Sequence, residues 1–192
     1  KYVANTLIDT FFEAGKIAKD IAHNRVKITI KSDGTPVTDG DLKVDQMLTD
    51  KIKEITPNIP IISEETFNLV NKDKKYKNFW LIDPIDGTKE YIKKGDEYTL
   101  NAALIINGEP TIGIIYAPEK ERLFFSYGYG YAFEIKNKKT QYLNCLKKTE
   151  KGKVFALQNS PQSVYIPDTN SDLYNYEIPS DNNTAELLFP NL

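Results

Sequence analysis

The chain has 192 residues, 40% of them hydrophobic and 27% charged, long enough to bury a sizeable core in one large domain or in one domain and part of a second. Its 25 Lys and Arg against 27 Asp and Glu leave a net charge of −2, so no global basic field invites nucleic acid or an anionic membrane. A single cysteine, Cys145, and a single histidine, His23, exclude an internal disulfide framework and a Cys/His zinc site built from this chain alone. His23 follows an amphipathic stretch and reads as a surface residue, which argues against a histidine-dependent triad. The lone thiol fits a reducing compartment, and no apolar run approaches the roughly 18–20 residues of a membrane span.

Leu7, Ile8, Phe11, Ala14, Ala18 and Ile21 recur at helical spacing and predict an amphipathic helix over residues 3–22. Ile28 and Ile30 suggest a short strand, and residues 32–41, rich in Gly, Pro, Asp and Thr, read as loop. A second helix is expected to start near Asp41 and end before Pro57, with Thr38 and Asp41 placed as a capping box. Asp39, Asp45, Asp50 and Glu54 read as its solvated face. Residues 59–62 and 79–82 are short apolar runs, each ending on acids: Glu64 and Glu65 after the first, Asp83 after the second. Asn107-Gly108 between two strand-like runs, 98–106 and 111–116, is a strong hairpin signal, because Asn-Gly supplies positive φ at low cost. Residues 122–126 and 131–135 extend the strand pattern, and from about residue 160 no periodic stretch persists until 185–189. Two helices with an antiparallel sheet predict an α+β fold.

The acids carry the functional signal. In Asp83-Pro84-Ile85-Asp86-Gly87-Thr88, proline fixes φ and glycine permits a sharp turn, so the chain is expected to fold back and aim both carboxylates at one centre. A short helix starting at Gly87 or Thr88 would add free N–H groups beside them. Carboxylates that gather hard cations next to a phosphate cradle are what metal-assisted phosphoryl transfer requires. Taken singly, Asp-Pro-x-Asp-Gly is also a common turn, and acids at loop starts are often helix caps. The Asp39-Gly40-Asp41 cluster lacks the spacing of a calcium-binding EF-hand loop.

The combination is more specific than its parts. Pro36-Val-Thr-Asp-Gly-Asp41, Ser63-Glu64-Glu65 and Trp80-Leu-Ile-Asp83-Pro-Ile-Asp86-Gly-Thr88, in that order, resemble the signature of the inositol monophosphatase superfamily. Lys31-x-Asp33-x-Thr-Pro-Val-Thr and Lys89-Glu90-Tyr91-Ile92 resemble its 3'(2'),5'-bisphosphate nucleotidase branch rather than the inositol branch.

The resemblance implies a layered α-β-α-β-α fold of two domains, the second truncated: residues 1–120 a metal-binding α+β domain and 121–192 a partial α/β domain. It implies two to three Mg²⁺ per site. Glu64, Asp83 and the Ile85 carbonyl would hold the first, Asp86 the second, and Asp33 (with Glu65) would tune a third. Thr88, bonded to Asp41, would orient the attacking water, so Thr88, Asp41 and Glu64 are the implied catalytic residues. Gly87, Thr88 and Lys89 would bind phosphate, Lys89 being equally readable as a solvated lysine. The implied substrate is a small phosphorylated nucleotide, adenosine 3',5'-bisphosphate, hydrolysed in the cytoplasm, with no nucleic-acid partner and no stable membrane insertion. An inositol or sugar monophosphatase of the same family, or a truncated non-catalytic remnant that binds Mg²⁺ or phosphate, are the alternatives. The family pattern also contains a later acid, in Trp-Asp-x-Ala-Ala, that this chain lacks; Ala185-Glu186-Leu187-Leu188 is no substitute. The chain is expected to stop roughly 70 residues short of a usual member, within the second domain.

Overall fold

The computed structural model describes residues 1–24, 26–32, 34–66 and 76–143. Two helices, α1 (Tyr2–Asn24) and α2 (Asp39–Ile55), lie on one face of a seven-stranded sheet. Its strands are β3 (Ile61–Ser63), β4 (Phe79–Asp86), β5 (Thr99–Ile106), β6 (Glu109–Ala117), β7 (Arg122–Tyr127), β8 (Ala132–Lys136) and β9 (Lys139–Leu143), neighbours in that order. Two further strands, β1 (Ile28–Ile30) and β2 (Pro36–Thr38), pair with each other outside this sheet, and a short helix, α3 (Thr88–Ile92), follows β4.

The helical periodicity does what the sequence predicts. Leu7, Phe11, Ala14, Ala18 and Ala22 form the buried stripe of α1, and Val44, Leu48 and Ile52 that of α2. Both stripes close on Trp80, Ile82, Leu100, Ala102, Ile114 and Leu123, which project from one face of the sheet. Trp80, fully buried, also donates its indole N–H to Thr56 Oγ1 at 3.0 Å, so the end of α2 is tied to β4. The β5–β6 hairpin turns through Asn107 and Gly108 at φ +55° and +84°, the left-handed pair that Asn-Gly provides.

Four expectations need correction. The stretch 32–41 is not all loop: Pro36–Thr38 is a strand and α2 begins at Asp39, because the Ile28–Ile30 segment supplies β2 with a partner. The sheet is mixed rather than antiparallel, since β3 and β4 run parallel. β4 extends through Asp86, so its acids lie within the strand and not after it. β9, polar and mostly exposed, carries no apolar alternation and escaped the pattern. The described strands after residue 120, β7 to β9, continue the same sheet. Cys145 and the later tail lie outside the described residues. His23 is exposed, 3.6 Å from Glu119.

Candidate active site

Asp41 is placed by the start of α2. Thr38 caps the helix, its Oγ1 accepting from Gly40 N and Asp41 N at 3.1 and 3.2 Å. In return Asp41 Oδ2 accepts from Thr38 N at 2.8 Å and Thr38 Oγ1 at 2.5 Å, completing the capping box. The box fixes one carboxylate oxygen and leaves Oδ1 facing the start of α3, 3.4 Å from Thr88 Oγ1. Burial pushes the Asp41 pKa above the ordinary carboxylate range, the Thr38 bonds oppose it, and the charge of Glu64 adds to it.

Glu64 and Glu65 leave the end of β3 in a turn held at both sides. Glu64 N donates to Ile82 O at 3.1 Å, and Glu65 N donates to Ser63 Oγ at 3.3 Å. Ser63 Oγ in turn donates to Asp45 Oδ1. Asp45 is therefore not on a solvated face, as its charge suggests; it is 6% exposed and braces this turn from α2. The signal that could have found it is position: it lies four residues after Asp41 and beside Val44, on the buried side of the helix.

Lys31 reaches into the same cluster, its Nζ 2.9 Å from Glu65 Oε2 and 3.4 Å from Glu64 Oε1. Burial lowers the Lys31 pKa, but its pairs with Glu65 and Glu64 outweigh this and the net shift is upward.

Asp83 and Asp86 come from β4. Asp83 is 3% exposed and stands opposite Asn101 of β5; between Asp83 and Asp86 the register with β5 shifts. Pro84, which has no N–H to give a ladder, sits in that shift. The chain does not fold back between the two acids, as the turn-forming residues predict; the register shift alone re-aims Asp86. Gly87, at φ +92°, then turns the strand into α3, and a Cβ there would meet the backbone oxygen of Glu97 at 2.8 Å. Thr88 Oγ1 lies 3.1 Å from Ile85 O, nearer than to Asp41, so its single proton is shared between these two acceptors. Tyr91 anchors α3 by donating to Ala18 O at 2.8 Å. Lys89 is exposed, and Asp33 lies outside the described residues.

The result is a set of oxygen donors from α2, the end of β3, β4 and α3, with the Glu64 charge felt by Asp41, Glu65 and Asp86. Burial first, and then the Glu64 charge, raise the Asp86 pKa. Burial also raises Glu65, with Lys31 opposing and the charges of Asp41 and Glu64 adding. No trio of Asp, Glu, His or Cys side chains among the described residues stands close enough to hold a metal ion as placed here. The donors do fit a hard cation in chemistry: all are oxygens, like charges among them disfavour one another, and among the described residues it is Lys31 whose positive charge pairs with Glu64 and Glu65.

A stability prediction follows from the sign of these shifts. A carboxylate with a raised folded pKa binds more protons folded than unfolded, so the metal-free protein loses stability as pH rises from the ordinary carboxylate range through the raised values. Thermal unfolding in EDTA is expected to show Tm falling as pH rises from about 4 through the raised values, and Mg²⁺ to raise Tm more above that fall than below it. Equal Mg²⁺ effects on the two sides of the fall would contradict a cation relieving this repulsion.

Among the described residues beside the site, two buried polar side chains lie outside the acids' own motifs. Asp45 is one; Asn101, 1% exposed in the middle of β5, is the other.

The fold defined by these elements is that of the inositol phosphatases. Extragenic suppressor protein suhB from Bartonella henselae superposes with a TM-score of 0.62 at 20% identity, over 70% of this chain and 52% of that one. The chain belongs to the inositol monophosphatase family, whose sequence profile matches residues 1–164. Within it, 3'(2'),5'-bisphosphate nucleotidase CysQ of Haemophilus influenzae is 34% identical over 119 residues, 62% of this chain and 44% of that protein. The structure of CysQ from Bacteroides thetaiotaomicron superposes with a TM-score of 0.56 at 34% identity, over 68% of this chain and 48% of that one. The chain thus spans about half the length of the relatives it matches. Among the described residues no helix is long and apolar enough to cross a membrane.

Proposed function

We propose that the protein to which this chain belongs is a Mg²⁺-dependent phosphomonoesterase that removes the 3'-phosphate of adenosine 3',5'-bisphosphate, giving AMP and phosphate in the cytoplasm. The observation that carries the reading is the convergence of Asp41, Glu64, Asp86 and Thr88 from α2, the end of β3, β4 and α3, with Thr88 Oγ1 3.4 Å from Asp41 Oδ1 and, after burial, the Glu64 charge disfavouring both Asp41 and Asp86 carboxylates. The relatives named 3'(2'),5'-bisphosphate nucleotidase support the substrate.

Glu64, Asp83 and the Ile85 carbonyl would hold a first Mg²⁺ and Asp86 a second, with Asp33 serving a third. Bound there, Mg²⁺ supplies neutralisation of the phosphate charge and acidifies water. The chain's own residues do the rest. Thr88 Oγ1, donating to Asp41 Oδ1, turns a lone pair toward water and orients it for in-line attack on phosphorus. Water oxygen forms the new P–O bond as the bond to O3' breaks; one water proton stays with the oxygen now on phosphorus and the other ends on the leaving O3', giving phosphate and the free 3'-hydroxyl. The capping box holds Asp41 in place through this step, since its other oxygen is already bonded twice. The N–H groups of Gly87 and Thr88 hold phosphate oxygens, and Lys89, exposed beside them, meets the 5'-phosphate.

Phosphate release from adenosine 3',5'-bisphosphate and from inositol 1-phosphate, side by side, with Mg²⁺ and with EDTA, tests this reading. Release from the nucleotide that EDTA abolishes is the expected result. Preference for the inositol ester moves the protein to the other branch, and release unaffected by EDTA removes the metal from the mechanism.

A further inference from the structure

Asn101 is the least explained buried side chain near the site. It is 1% exposed, yet neither its Nδ2 nor its Oδ1 has a hydrogen-bond partner. Leaving a buried amide unbonded costs stability, and native cores rarely keep one without a use. A Leu, Ile or Ala there would continue the pattern of the strand, as Leu100, Ala102, Ala103 and Leu104 do around it.

Its position narrows what the amide does. Successive strand residues point to opposite faces; Leu100, Ala102 and Leu104 enter the core beneath the helices, so Asn101 points to the other face of the sheet. In register, its neighbour on β4 is Asp83 and on β6 Ile115. Directly opposed residues of an antiparallel pair share a face with Cβ atoms about 5 Å apart, within reach of a short amide and a short carboxylate. Asp83 is also the last residue paired before the register shift that carries Asp86. The unbonded amide therefore stands beside an acid read above as a metal ligand, at the point where the strand leaves its regular ladder.

We infer that Asn101 is a positioning residue for Asp83. Its Nδ2–H donates to one carboxylate oxygen and fixes the carboxylate plane, so that the other oxygen is presented to the cation; it acts through Asp83 and touches neither substrate nor metal. The partner that satisfies the amide is thus engaged when Asp83 takes up its ligand role. This rests on the reading of Asp83 as a Mg²⁺ ligand. Such outer partners change metal affinity by about 10–100-fold when removed.

The test is Mg²⁺ binding to this chain, by calorimetry, for the wild type, Asn101→Leu and Asp83→Asn, with metal-free Tm measured alongside. Asn101→Leu keeps the heavy-atom count and the branching of the side chain and discards the amide. It is expected to weaken Mg²⁺ binding about tenfold or more while metal-free Tm holds or rises, a combination that general damage to the core does not produce. On the wild type, the assigned Asn101 side-chain amide signals in ¹⁵N–¹H spectra are expected to shift when Mg²⁺ is added, which decides the matter even if Asn101→Leu fails to fold. Unchanged amide signals at saturating Mg²⁺, or wild-type affinity in Asn101→Leu, overturn the inference while Asp83→Asn still abolishes binding. If Asp83→Asn binds Mg²⁺ as the wild type does, the reading of Asp83 itself falls, and this inference with it.

Discussion

On the function proposed above, Asp86→Asn in the protein to which this chain belongs is expected to lower Mg²⁺-supported phosphate release by about 100-fold while leaving the metal-free fold intact or slightly firmer. The two halves of that result come from one property. Asp86 is partly buried, and its carboxylate is disfavoured first by burial and then by the charge of Glu64. A group held against its own solvation and a like charge does not stabilise the empty fold. Asparagine keeps the shape and one carbonyl oxygen, and removes the charge. The metal-free Tm at pH 7.5 should therefore hold or rise, whereas the ability to gather a second cation is lost. A variant that loses activity together with several degrees of metal-free Tm would point instead to Asp86 as a structural residue.

Gly87→Ala is the second large effect. At φ +92° a Cβ meets left-handed strain of about 1–2 kcal/mol. It also meets the Glu97 backbone oxygen at 2.8 Å and the Tyr98 Cα at 3.3 Å, backbone atoms of the segment that leads into β5. Overpacking of this kind adds about 1–3 kcal/mol, and the sum lowers Tm by roughly 10 °C in a chain of this size. Gly108→Ala is the control. It too sits at positive φ, +84°, but nothing lies within 4 Å of its added Cβ. Thermal unfolding of the pair separates backbone strain from the close approach: Gly108→Ala should show the strain alone, and equal losses in the two variants would mean the contact with Glu97 is not felt.

What the sequence could reveal of this fold followed the strength of its patterns. The buried stripes of α1 and α2 are periodic and long, and the Asn107-Gly108 turn has a specific backbone cause, so each is where the residues predict. The capping box of Thr38 and Asp41 was legible because both partners lie within one local motif. β2 and β9 were not. The first is a strand only because β1 pairs with it, and the second is polar on both faces. Acids in a tight local motif were likewise readable as a set, while the supports came from elsewhere in the chain. Asp45 meets Ser63 across eighteen residues, and Asn101 stands opposite Asp83 through a strand register that no local pattern encodes. The turn expected between Asp83 and Asp86 was wrong for the same reason. Pro84 and Gly87 suit a reversal, but pairing with β5 keeps the chain extended and leaves only a register shift.

Calorimetric titration of Mg²⁺ into this chain at pH 7.5, for the wild type and Glu64→Gln, tests the central claim most directly, because Glu64 is the charge that raises both Asp41 and Asp86. The account predicts saturable binding by the wild type and a loss of about tenfold or more in Glu64→Gln. Binding of equal strength in both, or none in the wild type, would contradict the claim that these acids are gathered to hold a cation.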